Sequence, residues 1–118
     1  AHADDMAIYE MDLQENAETL VVSYGITARA AREAVHRLRA AGRKVSFLKL
    51  MTLFPVATAA IEQAVEGCRR VVVAEENLTG LYASAVQPLL GSRELLRVNG
   101  IGNQISPGEI LEAMERAR

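Results

Sequence analysis

The residues of this chain that are best suited to chemistry follow Val71–Ala74, an apolar run typical of a strand buried on both faces. Glu75 and Glu76 come directly after this run, and Asn77 and Gly80 follow shortly. Paired carboxylates can do acid–base work when their surroundings separate their pKa values. Adjacent strand residues point to opposite faces, however, and the stretch holds no Ser, His or Cys. We therefore favour a strand end whose acids cap the next helix or contact a partner surface, with acid–base catalysis as the alternative.

Two further stretches lie where strands are predicted to end. Gly25 separates a strand from a helical pattern, but the stretch around it lacks the further glycines of a dinucleotide-binding loop. We therefore favour a simple strand-to-helix turn, with Thr27 as the helix cap, over a phosphate-binding loop. The loop Leu53–Val56 is apolar and includes Phe54 and Pro55. It either folds over the sheet edge or forms an interface, and the sequence does not separate these two interpretations.

Histidine and cysteine provide no metal site in this sequence. His2 and His36 have no partner at ligand spacing, and Cys68 lies between a predicted helix and a buried strand, where a small core residue is expected. The first predicted helix carries a basic face that could contact an acidic partner but is more often simply solvated. The residues of this face are Arg29, Arg32, Arg37 and Arg39, and Arg43 and Lys44 follow directly after the helix.

Size and composition restrict the class of protein. The chain has 118 residues, enough for one domain, and it is 50% hydrophobic but only 4% aromatic, so aliphatic side chains must form the core. The formal net charge of −2 argues against a nucleic-acid binder. No apolar run reaches the length of about 20 residues that spans a membrane, and the single cysteine favours a reducing, cytoplasmic setting. The first residue is Ala1 and not Met, so we expect that the chain was either processed or cut from a larger protein, and we favour the second.

The hydrophobic pattern alternates between strands and helices. Residues 1–18 are acidic and weakly periodic, which predicts a loosely ordered lead-in or linker before a domain over residues 19–118. Four short strands then alternate with four amphipathic helices, which predicts a three-layer α/β/α sandwich around a mainly parallel sheet of four or five strands. Ser106 with Glu109 predicts a capping box at the last helix, and Pro88 should end or kink the third helix.

Five stretches of the chain together carry a family resemblance. They are Val21–Gly25, Ala34–Arg39 with Gly42, Leu48–Pro55, Val72–Asn77 with Gly80, and Ser106–Leu111. In this order they resemble the carboxyl-terminal part of the alpha subunit of 2-oxoacid:ferredoxin oxidoreductases, most closely the 2-oxoglutarate branch. That domain is itself similar to the carboxyl-terminal domain of transketolase. Two departures lie at the predicted interface edge: Gly80-Leu81 stands where the family usually has Gly-Gln, and the Phe54-Pro55 loop lacks a second proline and aromatic residue.

The resemblance implies a domain of an enzyme that oxidatively decarboxylates a 2-oxoacid to an acyl-CoA and reduces ferredoxin. It implies that the holoenzyme uses thiamine diphosphate, Mg²⁺, an iron–sulfur cluster and CoA, and that this chain binds none of them. It assigns the chain no catalytic residue, only a scaffold role and contacts with the remaining alpha-subunit domains and a beta subunit. The strand-end residues Gly25, Thr27, Phe54, Pro55, Glu75, Glu76, Asn77 and Gly80 would form these contacts, and a homodimer is also possible.

Two alternatives stay open at the level of the sequence. One is the equivalent domain of a transketolase-like or 2-oxoacid dehydrogenase enzyme that works without ferredoxin. The other is a stand-alone module that binds a nucleotide or acyl-CoA at the strand ends, which the lack of a phosphate-binding sequence disfavours.

Overall fold

A computed structural model describes residues 8–25, 27–52, 56–75, 81–99 and 106–116 of the chain. From Thr19 onwards, strands and helices alternate along the chain as the hydrophobic pattern predicts, and one further strand precedes them. The strands are β1 (Tyr9–Asp12), β2 (Thr19–Tyr24), β3 (Val45–Leu50), β4 (Arg70–Glu75) and β5 (Glu94–Asn99). The helices are α1 (Thr27–Ala40), α2 (Thr58–Ala64), α3 (Leu81–Val86) and α4 (Pro107–Arg116), and a 3₁₀ turn (Gln87–Leu89) follows α3.

The five strands form one sheet in the order β1-β3-β2-β4-β5. The pairs β2–β3, β2–β4 and β4–β5 are parallel, and only β1 runs antiparallel to its neighbour β3. Parallel neighbours require crossover connections, which the helices provide. The predicted α/β class and mainly parallel sheet are therefore confirmed.

Two apolar clusters, one on each face of the sheet, produce the three layers. Successive strand residues point to opposite faces. In β2, Val21 joins the cluster that contains the buried residues of α1 and α4, while Val22 joins the cluster that contains those of α2 and α3. All six residues of β4 are buried, as a strand covered on both faces should be. Among the described residues, Phe47 and Tyr82 are the aromatic side chains of a core that is otherwise mostly aliphatic.

The lead-in predicted over residues 1–18 differs from the structure, because Tyr9–Asp12 form β1 and pair with β3. The prediction of loose order is wrong for these four residues. Tyr9 and Met11 alternate with Glu10 and Asp12, which is a period-two pattern that the high acidity of the segment obscured. The domain boundary at residue 18 stays a prediction.

The acids of β1 lie beside basic side chains of α1 and β3. Glu10 lies 3.6 Å from Arg32 on α1 and 3.6 Å from Lys49 on β3. Asp12 accepts a 3.1 Å hydrogen bond from Arg39, whose guanidinium also donates to the Asp12 and Val45 carbonyls. The Arg39 hydrogen bonds thus attach this edge strand to α1, and the exposed Glu10 pairs add little.

The ends of the last two helices follow the predicted signals. The Glu109 amide donates to the Ser106 hydroxyl at 3.2 Å, and the Ser106 amide donates to the Glu109 carboxylate at 3.2 Å, which is a complete capping box. Helix α3 gives way to the 3₁₀ turn immediately before Pro88, because proline cannot donate a helical hydrogen bond. Both predictions are confirmed.

Candidate functional site

The strand order reverses direction at β2, and this reversal marks the sheet edge of interest. From β2 the chain passes through α1 to β3 on one side, and it then returns across β2 to β4 on the other. In open α/β sheets, ligands and partners meet the crevice outside the carboxyl ends of the strands at such a reversal. Tyr24 ends β2 and Glu75 ends β4, so these two residues define this edge.

Glu75 is completely buried and accepts three hydrogen bonds at this edge. One carboxylate oxygen accepts from the Tyr24 hydroxyl at 2.9 Å and from the Tyr82 amide at 2.9 Å. The other oxygen accepts from the Ala83 amide at 3.0 Å. The first amides of a helix have no partner within the helix, and a negative charge there is favourable. Glu75 therefore caps α3 and joins it to β2, which is the arrangement that the capping interpretation predicts.

Side chains around Glu75 complete the connection between β2 and β4. The Ser23 hydroxyl, which is fully buried, donates to the Ala74 carbonyl at 3.0 Å. The rings of Tyr24 and Tyr82 meet edge to face, with centroids 6.0 Å apart. A carboxylate held this way anchors three elements, and its buried oxygens are not presented to a substrate.

Three of the predicted site residues lie within the described structure. Gly25 has φ +62°, which a glycine adopts without strain, and its carbonyl accepts the Ala28 amide at 3.1 Å. Thr27 is buried and is the first residue of α1. The sequence predicts it as the cap, which is the position directly before the first helical residue. Gly25 thus turns the chain from β2 into α1 beside the Glu75 cluster. The predicted residues Phe54, Pro55, Glu76, Asn77 and Gly80 lie outside the described residues.

Tyr24 and Tyr82 are site residues that the sequence did not identify. Tyr24 lies beside Glu75 only because β2 and β4 are neighbours, although 51 residues separate the two in sequence. The sequence offered one signal for Tyr24, namely that it is an aromatic residue at the end of a predicted strand, directly before Gly25. Tyr82 belongs to the apolar stripe of its helix, and nothing in that stripe indicates that its amide meets Glu75.

A broad groove of about 1100 Å³ lies near this edge, on the outer surface of α1. Gly25 and Lys49 line it from the strand ends, Ser106 and Pro107 line it from the start of α4, and α1 supplies the rest. The α1 residues in the groove are Ala28, Arg29, Ala30, Arg32, Glu33 and His36. The groove is open and its lining mixes charged and apolar residues, unlike the enclosed pockets that usually hold small molecules.

Other reactive groups among the described residues are scattered. No group of three His, Cys, Asp or Glu side chains within the described ranges could hold a metal ion. Cys68 is buried, and its thiol donates to the Ala17 carbonyl at 3.5 Å. Burial raises the pKa of the Cys68 thiol, and the Arg93 charge lowers it by less. No helix in the described part of the chain is long and apolar enough to cross a membrane.

Sequence comparison gives a consistent group of relatives. A model of the family described as pyruvate:ferredoxin oxidoreductase core domain II matches residues 17–110. Ketoisovalerate oxidoreductase subunit VorB of Methanothermobacter thermautotrophicus is 34% identical over 93% of this chain and 30% of its own length. Subunit KorA of 2-oxoglutarate synthase from Methanothermobacter marburgensis is 29% identical over the same shares. The chain thus spans about 30% of the length of these curated relatives.

Two solved structures share the fold. A chain of 2-oxoglutarate:ferredoxin oxidoreductase from Magnetococcus marinus, solved with 2-oxoglutarate, coenzyme A and succinyl-CoA bound, superposes with a TM-score of 0.79 at 23% identity. The match covers 92% of this chain and 19% of that one. A split-gene transketolase in an inactive beta4 tetramer gives a TM-score of 0.76 at 21% identity, covering 92% of this chain and 41% of that one. The predicted transketolase-type fold is confirmed.

Proposed function

Because this chain belongs to the pyruvate:ferredoxin oxidoreductase core domain II family, we propose that it is a supporting domain of a 2-oxoacid:ferredoxin oxidoreductase. In this proposal the chain carries no catalytic group and positions the domains that bind thiamine diphosphate. The carboxyl edge of the sheet, around Glu75 and Gly25, forms the contact with the rest of the enzyme. The observation that carries the proposal is the Glu75 carboxylate, whose hydrogen bonds with the described residues hold β2 and α3 in place.

The donor groups of the chain do not fit the cofactors that such an enzyme would use. One cysteine cannot hold an iron–sulfur cluster, which needs several thiolates. The described residues supply no cluster of metal-binding side chains, and the sequence contains no Gly-Asp-Gly motif for thiamine diphosphate with Mg²⁺. These groups, together with CoA, would be bound by other domains of the alpha subunit and by a beta subunit. Electron transfer to ferredoxin would likewise take place outside this chain.

Calorimetry and assembly test the proposal together. The chain alone should give no binding heat with thiamine diphosphate and Mg²⁺, and it should co-purify with the remaining parts of the oxidoreductase when all are expressed together. An assembly that lacks only this chain should lose 2-oxoacid-dependent reduction of a viologen dye. Tight binding of thiamine diphosphate by the chain alone, or full activity without the chain, would contradict the supporting role.

The 2-oxoacid is a separate question. The relatives include a ketoisovalerate, a 2-oxoglutarate and a pyruvate enzyme at 34%, 29% and 31% identity, so identity does not select a branch. The assignment to the 2-oxoglutarate branch stays a prediction. Dye reduction by the assembled enzyme with each of the three acids tests it, and transfer of a ketol group between sugars would instead indicate a transketolase-like enzyme.

A further inference from the structure

The groove on the outer surface of α1 is rich in basic side chains. Arg29, Arg32 and His36 follow one another at spacings of three and four residues, which places them on a single helix face. Lys49, at the end of β3, extends this face beyond the helix. We name these four residues the α1 basic groove. The chain as a whole has a formal net charge of −2, so this concentration of basic side chains does not follow from overall composition.

The carboxylates near the α1 basic groove pair only weakly with its basic side chains, so much of the positive charge can still attract another anion. Glu10 lies 3.6 Å from both Arg32 and Lys49, and the Glu10 side chain is 59% exposed. Glu33, the acid within the groove, lies 3.8 Å from Arg37. Exposed ion pairs at these distances contribute little and exchange readily with other anions. Within the described residues, Arg29 and His36 form no ion pair.

The shape of the groove indicates the class of partner. Arg29 and His36 are seven residues apart on the helix, which corresponds to about 10 Å at the rise of an α-helix. The basic side chains are therefore spread along an open surface, whereas the groups that hold a phosphate lie close to one point. A polypeptide with several spaced carboxylates matches this spread better than a compact anion.

We propose that the α1 basic groove binds an acidic segment of another polypeptide in the oxidoreductase assembly. Gly25 and Lys49 place the groove at the same carboxyl edge as Glu75, which is the edge that meets the rest of the enzyme in the proposed function. The inference therefore rests on that function and adds the chemistry of the contact. Long-range attraction between the two charged surfaces would speed encounter and would weaken with salt.

The first experiment uses the chain and a peptide of eight glutamates as the probe. Nuclear magnetic resonance titration at low salt should shift the amides around Arg29 and His36, and Arg29→Glu should weaken binding about tenfold, because an attraction becomes a repulsion. Arg69→Glu is the matched control, because the Arg69 side chain is 69% exposed at the opposite edge of the sheet, beside Glu18. Reversing the charge of Arg69 should change the affinity for the glutamate peptide by less than about twofold. Equal losses in both variants, or no binding of the peptide, would overturn the inference.

A second titration with inorganic pyrophosphate separates a small anion from a protein segment. The inference requires the glutamate peptide to bind more tightly than pyrophosphate at equal ionic strength. Tighter binding of pyrophosphate, with the same amides shifting, would assign the groove to a phosphate-bearing ligand and would overturn the inference.

Assembly of the whole enzyme separates this inference from the proposed function. The unmodified chain should co-purify with the other parts of the enzyme, and Arg29→Glu should reduce its retention at low salt while Arg69→Glu does not. If both variants are retained like the unmodified chain, the groove inference fails and the supporting function stands. If the unmodified chain itself does not assemble, the supporting function fails.

Discussion

Replacement of Glu75 by alanine should destabilise the domain far more than a surface substitution. The change leaves the buried Tyr82 and Ala83 amides without an acceptor. Each unsatisfied buried amide costs about 1–3 kcal/mol, so the free energy of unfolding should fall by about 2–6 kcal/mol before any cavity is counted. For a chain of 118 residues, 1 kcal/mol corresponds to about 4 °C in Tm. The loss is a large fraction of the total stability of about 5–15 kcal/mol that is usual for a domain.

Urea denaturation followed by circular dichroism measures this loss, with two comparison variants. Glu75→Gln keeps an oxygen for one amide but turns its NH₂ group towards the other, so it should lose about half as much as Glu75→Ala. Glu62→Gln changes an exposed residue of α2 and should stay within about 0.5 kcal/mol of the unmodified chain. Hydrogen exchange should accelerate at the Tyr82 and Ala83 amides. A loss below about 1 kcal/mol for Glu75→Ala, with protected amides, would refute the capping role.

Three further predictions concern other contacts. Arg39→Ala should accelerate hydrogen exchange in β1, because it removes the hydrogen bonds to Asp12. Arg37 pairs with Glu33 instead, so Arg37→Ala should leave the exchange rate of β1 unchanged. Equal exchange rates in the two variants would argue against this attachment. Burial raises the pKa of the Cys68 thiol, so the folded chain keeps a proton that the unfolded chain loses above its usual value of 9.0. Stability should therefore fall as pH rises through this region, and Cys68→Ala should lose that part of the slope in denaturation at several pH values. Ser106→Ala should cost about 1 kcal/mol in urea denaturation by removing one half of the capping box, and no loss would mean that the box is not stabilising.

The strands and helices after residue 18 could be predicted from local signals. The runs Thr19–Tyr24 and Glu94–Asn99 are strands with the bounds that their composition indicates. The capping box of α4 is readable because its two residues lie three positions apart. Such features depend on neighbours in sequence, and periodicity or capping chemistry reports them directly.

The arrangement around Glu75 could not be predicted in the same way. Its contact with Tyr24 depends on which strands become neighbours, and the alternation of strands and helices is compatible with several strand orders. Strand β1 was missed for a related reason, because its acids gain partners only when α1 and β3 lie beside them. Local composition was enough to indicate that the carboxyl edge of the sheet is polar. The contacts that its residues make depend on which strands pair, and local composition does not report this pairing.

The central position of β2 also sets the order in which the domain can fold. Thr19 is in register with Val45 on one side and with Arg70 on the other. Strand β2 can therefore complete its pairing only after β3 and β4, which follow it in the chain, have come alongside. The unit of β2, α1 and β3 closes the shorter loop and should form first, since loop-closure entropy rises with length. The hydrogen bond from Tyr24 to Glu75 spans 51 residues and can close only after β4 has docked. It should therefore form late, and its formation would report that the parallel core of the sheet is complete.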